Sequence, residues 1–383
     1  MDLGLPLFDD VHRELHAKVR RLCDERLAIL ASSELEDTTS TVVDYIALLG
    51  QEGLFDPALG RALEGEAPRP ELRQLCVIRE LLGRTSGLCD AAFGAHVQGI
   101  YPIALCGNED QRAIHLPGMA SGQTVVGIAL LDGDAPCVVN ASGDGYVLSG
   151  SKQLVPLAPI AAQFVVLARH RTSSTTEAPK YSMFVVDAAQ CRVTPEPFVS
   201  PLPVGTLSFD NVKVDADNRL GGEGQGLMIV QTSLDMMRLP AAAGCLGLAR
   251  HALTDGVAVL AQRGIAGRPL REQQASMFRL GDAVTLVDAA DALTQNAAWR
   301  RDTTTSRESK GTTMARQLAQ DAAEQACLTV SDLMGLKGLK ATDPWTRLLA
   351  EVRALRLETE FLENARSVVA NSLINSVDAD RRR

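Results

Sequence analysis

The feature that most constrains this chain is a double switch of hydrophobic period. Up to about Gln123, apolar residues recur three and four apart, as in Val11, Leu15, Val19 and Leu22, which gathers them on one face of a helix. From Thr124 the texture becomes short β-branched runs: TVVGIALLD, YVLSGSKQLV, AQFVVLARH, KYSMFVVDAA, CRVTPEPF and GTLSFDNVKV. Clusters of Gly, Pro, Ser and Asp separate them, so this block is expected to form an antiparallel β-domain. Beyond GGEGQG at 221–226 the helical period returns, with Leu234, Ala241, Leu248, Ala252 and Val259 on one side of a long helix. The switches predict an α+β multidomain chain divided at 1–123, 124–230 and 231–383. The glycine-rich GGEGQG reads as a turn into the next helix, because it lacks the βαβ context that a phosphate-cradling loop requires.

A chain of 383 residues, 46% of them hydrophobic, has the apolar mass for more than one core and is not disordered. No apolar run approaches the roughly 18 residues that cross a bilayer, so no membrane span is expected. The formal charge of −9 repels nucleic acid and acidic membrane surfaces, and the one basic cluster, Arg381 to Arg383, reads as a solvated tail. The opening MDLGLPLFDDVHREL is acidic where a signal peptide is basic, from which a cytoplasmic location is expected. Eight scattered cysteines, with no CxxC and no histidine at ligand spacing, read as reduced thiols, with no metal site expected.

The segments YPIALCGNEDQRAIHLPGMASGQ, DGYVLSGSKQL, FVVLAR, LSFDNVKVDADNRLGGEGQG and RGIAGRPLREQQASMFRLGDAV resemble, in order and spacing, landmark segments of the acyl-CoA dehydrogenase family. The resemblance runs from about Leu82 to Ala370. It implies the acyl-CoA dehydrogenase fold: a helical N-terminal domain, a middle antiparallel β-barrel-like domain and a C-terminal four-helix bundle. Assembly through that bundle is implied too, as a homo-oligomer or as a heteromer with a paralogue. The implied activity is FAD-linked removal of two hydrogens from the α and β carbons of an acyl thioester on coenzyme A or a carrier protein. The α C–H is a poor acid in water, so such a site needs a positioned carboxylate base and stabilisation of the enolate oxygen.

Carried over residue by residue, the resemblance places Arg263, beside Gly267, at the FAD pyrophosphate across a subunit interface, a role suited to a guanidinium. Gln274 matches a glutamine of the family, and Gly335 and Gly338 keep half of a Gly-Gly-x-Gly segment that approaches the adenylate. Leu131 stands where a flavin-binding threonine is the rule. Pro156 replaces a threonine or serine facing the flavin ring, and lacks both the hydroxyl and a backbone N–H. Ala266 replaces an aromatic residue, and Met277 replaces a second glutamine. Weak FAD binding is therefore expected. For the base, an ungapped alignment from Arg347 assigns Thr359, and a one-residue slip assigns Glu358. An alternative location in the family, just before the arginine at Arg238, holds Met237. His96 reads as a packed histidine, and Asp132 and Asp235 as turn and helix carboxylates. Three further readings stay open: a subunit with degenerate sites in a heteromer, a non-redox enzyme or acyl-thioester-binding protein without flavin, and a flavin monooxygenase of the same fold.

Overall fold

The computed structural model describes residues 3–171, 178–265, 267–304, 309–340, 344–358 and 365–381. Its leading helices are α1 (Asp10–Leu22), α2 (Ala28–Ser32), α3 (Thr38–Gln51), α4 (Asp56–Leu59), α5 (Leu72–Thr85), α6 (Gly87–Cys106) and α7 (Glu109–Ala120). Strands follow: β1 (Val126–Ala129), β2 (Val138–Ser142), β3 (Gly145–Pro156), β4 (Gln163–His170), β5 (Tyr181–Asp187), β6 (Arg192–Glu196), β7 (Val204–Asp215) and β8 (Arg219–Leu220). The long helix α8 (Gly226–Gln262) leads through a small hairpin of β9 (Gly264–Ile265) and β10 (Arg268–Pro269) into α9 (Gln274–Thr303). Helices α10 (Ser309–Met334), α11 (Pro344–Glu358) and α12 (Ala365–Arg381) complete the chain.

These elements gather into two compact units. The bundle unit comprises Met1–Ala31, Glu71–Asp90 and Asp235–Arg383, and the sheet unit Ser32–Pro70 and Ala91–Leu234.

In the bundle unit, α8 to α11 share one core, built from Cys245, Leu248 and Ala252 of α8, Val287 and Ala290 of α9, Ala319, Ala323 and Val330 of α10, and Leu348, Val352 and Leu355 of α11. Alanine dominates the inner face of α10, which favours helix and lets neighbouring axes approach closely. Glycines bring α5 against α8: a Cβ on Gly247 would stand 2.2 Å from the Glu80 carbonyl oxygen, and one on Gly83 would stand 2.6 Å from that of Gly244. The expected stripe on α8 holds at Ala241, Leu248 and Ala252, whereas Val259 is exposed.

In the sheet unit, the strands form one sheet ordered β6-β7-β3-β2-β4-β5-β8, with β1 added along β4. Each run of residues expected as a strand is one, and β2 and β8 are additional. Most neighbours are antiparallel, but β1 and β2 both run parallel to β4 and share one of its edges in tandem, β1 along Gln163 to Val166 and β2 at Arg169 and His170. Parallel pairing needs a crossover, and the β2–β3 hairpin between β1 and β4 supplies it. GGEGQG is the turn into α8, with Gly221 and Gly224 at positive φ.

Candidate active site

In the sheet unit, the segment after β1 is laced to β3. Lys152, buried, donates from Nζ to the Leu130 carbonyl at 2.9 Å and to Asp132 Oδ1 at 2.7 Å, and the same Oδ1 accepts from the Cys137 N–H at 3.1 Å. Leu131 lies between these anchors, half-buried, with its carbonyl accepting from the Gln153 N–H at 3.0 Å. Asp132 is thus the turn carboxylate expected, with a cation as partner. Two leucines, Leu154 and Leu157, adopt φ of 51° and 61° on either side of Val155 and Pro156. A side chain in this left-handed region costs on the order of 1–2 kcal/mol, so the end of β3 is strained where the resemblance puts the flavin ring. A Cβ on Gly127 of β1 would stand 2.8 Å from the Pro156 carbonyl oxygen, so only glycine lets β1 pass there.

Within the same unit, His96 of α6 is fully buried. Its Nε2 faces the Met119 carbonyl at 3.0 Å and its Nδ1 faces the Val126 N–H at 3.4 Å. A carbonyl only accepts and an amide only donates, so the ring is the neutral Nε2–H tautomer. Burial pushes its pKa down to about 4, against the two backbone contacts, which raise it. His96 is therefore the packed residue expected, and it ties α6 to both the end of α7 and the start of β1.

In the bundle unit, three of the expected cofactor residues meet at one end. Arg263 donates from Nη1 to the Met334 carbonyl, next to Gly335, and its own carbonyl accepts from the Leu270 N–H at 2.7 Å. The Leu270 carbonyl in turn accepts from Gln273, the residue before the exposed Gln274 that opens α9. Gly335 is exposed at φ 58° with open space where a Cβ would project. Gly338 differs: a Cβ there would stand 2.3 Å from the Ser331 carbonyl oxygen, so packing on α10 demands this glycine. Ala266 lies outside the described residues, and Leu131 belongs to the sheet unit.

Of the two positions to which the resemblance assigns the base, one lies on α11. Its backbone is helical through Glu358, and Thr359 lies outside the described residues. On α8, Met237 is fully buried, so the alternative base position is apolar. Asp235 bridges Arg238 Nη1 and Arg301 Nη2, each at 3.0 Å. Burial lowers the pKa of Arg238, Asp235 opposes that shift, and Arg301 and Arg316 add to it. Arg316, which the sequence reading passed over, is almost fully buried on α10 and touches both α8 and α11. Its signal was a charged residue in register with Ala319, Ala323 and Val330 on a core-facing stripe.

Residues 9–123 match the acyl-CoA dehydrogenase N-terminal domain and residues 224–372 the C-terminal domain. A 3-(aryl)acrylate reductase of Clostridium sporogenes is 26% identical over 96% of this chain and 99% of its own length. An acyl-CoA dehydrogenase of Bacillus subtilis is 27% identical over 90% of this chain and 93% of its own. Among solved structures, butyryl-CoA dehydrogenase of Megasphaera elsdenii superposes with a TM-score of 0.82 at 22% identity, covering 98% of this chain and 100% of that one. The two matched domains, together with full-length similarity to these proteins, identify the chain as a member of the acyl-CoA dehydrogenase family.

Proposed function

We propose that the protein acts on an acyl thioester, of coenzyme A or a carrier protein, by FAD-linked α,β-dehydrogenation. The observation that carries this reading is the match of both family domains along a chain whose fold is that of acyl-CoA dehydrogenases. FAD, when bound, supplies the hydride acceptor. Arg263, Gln274 and the open backbone at Gly335 suit its anionic part, since a guanidinium with donors to spare and an unshielded glycine amide both favour phosphate oxygens. Leu131 and Pro156 offer the ring no side-chain donor. Glu358, the carboxylate adjoining the ungapped base position, takes the α proton.

The poor donor set of the sheet unit favours a second reading, a subunit with degenerate sites whose paralogue carries the complete ones. One experiment separates them. The purified chain is examined by visible spectroscopy with and without added FAD, and acyl-CoA dehydrogenation is assayed in excess FAD for wild type, Glu358→Gln and Thr359→Glu. The first reading expects weak but saturable FAD binding and a loss of about 10²- to 10⁴-fold in Glu358→Gln, the usual worth of a positioned base. A rate near zero in wild type that Thr359→Glu raises and Glu358→Gln leaves alone would establish the second. A flavin-free chain that binds acyl-CoA without turnover, in which Thr359→Glu restores nothing, would sink the first reading and leave a site-degenerate subunit or a non-redox thioester protein.

A further inference from the structure

We propose that Arg316 is a positioning residue for proton abstraction: its buried guanidinium holds α11 at Leu355 and so fixes the stretch of helix that carries Glu358. The inference rests on the dehydrogenase reading and adds to it a residue that touches none of the reacting atoms.

The carbonyl of Leu355 is satisfied by Nη2 of Arg316, reaching across from the neighbouring helix α10. The other arm of the same guanidinium, Nη1, donates to Gln320 Oε1 at 3.0 Å on its own helix and lies 3.4 Å from Cys245 Sγ on α8. Arg316 is 3% exposed. One planar fork thus joins α8, α10 and α11 at a single point. The two helices it joins to α10 carry positions to which the resemblance assigns a base: Met237 on α8 and Glu358 on α11. Glu358 lies three residues beyond Leu355, less than one turn and about 4.5 Å of helix rise, so a shift at Leu355 passes almost undiminished to it. Lysine, with one compact ammonium, cannot reproduce a fork that serves separate helices with its two arms.

The test compares full-length wild type with Arg316→Lys, which keeps the charge, and with Gln320→Leu, which removes one anchor of the guanidinium. Arg353→Ala serves as control, because it breaks an exposed α10–α11 ion pair with Glu324. Two quantities are read: deuterium uptake by the backbone of 345–358, and wash-out in D2O of the α proton of 3-thiaoctanoyl-CoA, a thioester with sulfur in place of the β-methylene. Arg316→Lys should speed exchange in 345–358 by about tenfold or more without altering the other bundle helices, as expected for local opening. It should also slow wash-out by about 10- to 100-fold while the Kd of the thioester stays within about threefold, since misplacement by an ångström is that costly. Gln320→Leu should move both readouts in the same direction by less, and Arg353→Ala neither. Unchanged exchange in 345–358, or wash-out that survives faster exchange, overturns the proposal. Absence of wash-out in wild type would instead refute the dehydrogenase reading, and Arg316 would then be judged on backbone exchange alone.

Discussion

At the scale of the residue, the sharpest consequence concerns His96. The folded protein holds it neutral down to a pKa of about 4, against 6.5 for an unperturbed histidine, because its ring is fully buried. Between those two values the unfolded chain binds a proton that the folded chain refuses, so stability rises with pH across this window. The contribution is fully present above pH 6.5 and is lost as pH falls towards 4; a shift of this size amounts to on the order of 3 kcal/mol. Urea denaturation at several pH values should show that slope in wild type. A flatter slope is expected for His96→Gln, whose amide can still serve Met119 and Val126 without titrating. An equal slope in both proteins would assign the acid sensitivity elsewhere. His96 was legible in the sequence as a packed histidine, but its role was not, since its partners lie 23 and 30 residues away.

At the scale of the element, helix ends are held by distant groups. The first turn of α5 has no cap of its own, and its Leu72 and Arg73 N–H groups are taken by Asp302, at the far end of α9, at 3.0 and 2.9 Å. The same carboxylate pairs with the Arg73 guanidinium at 3.1 Å. Asp302→Ala should therefore remove a cap and leave the Arg73 guanidinium to its other partners, Asp9 and the Leu7 carbonyl, each at 2.9 Å, costing about 1–3 kcal/mol in chemical denaturation. Asp302→Asn, which keeps an acceptor oxygen, should recover part of that; a loss within about 0.5 kcal/mol for the alanine variant would show that water replaces the carboxylate. Periodicity reveals the body of an element because one face must be buried, and the expected helices and strands follow it. It does not reveal β2, whose inner and outer residues are mixed, nor the parallel register of β1 and β2 on β4, which depends on how the chain returns.

At the scale of the whole molecule, the bundle unit exposes large apolar side chains: Met277, Phe278 and Val284 on α9, Leu336 and Leu339 after α10, and Leu373 and Ile374 on α12. Contiguous apolar surface of this kind marks an interface, and among the described residues no helix is long and apolar enough to cross a membrane. Assembly through the C-terminal helices follows as an expectation. Light scattering at micromolar concentration should return an oligomer, and Phe278→Lys, which places a charge in the contact, should shift it towards monomer. A monomeric wild type would leave this surface without its partner.

The sequence by itself determined the order helices, strands, helices and the family, because hydrophobic period and ordered landmark segments are local properties that survive divergence. It also shows that Leu131 and Pro156 bring no side-chain donor to positions where the resemblance expects one, since a missing hydroxyl or N–H is a fact of composition. Only the tertiary structure decided that Arg263 spends one arm on the Met334 carbonyl, that Gly338 is required by its packing on α10 and that Arg316 reaches across to Leu355. Each of these joins residues dozens of positions apart or opposes two backbones, and a linear pattern carries no record of which distant group satisfies a buried donor or acceptor.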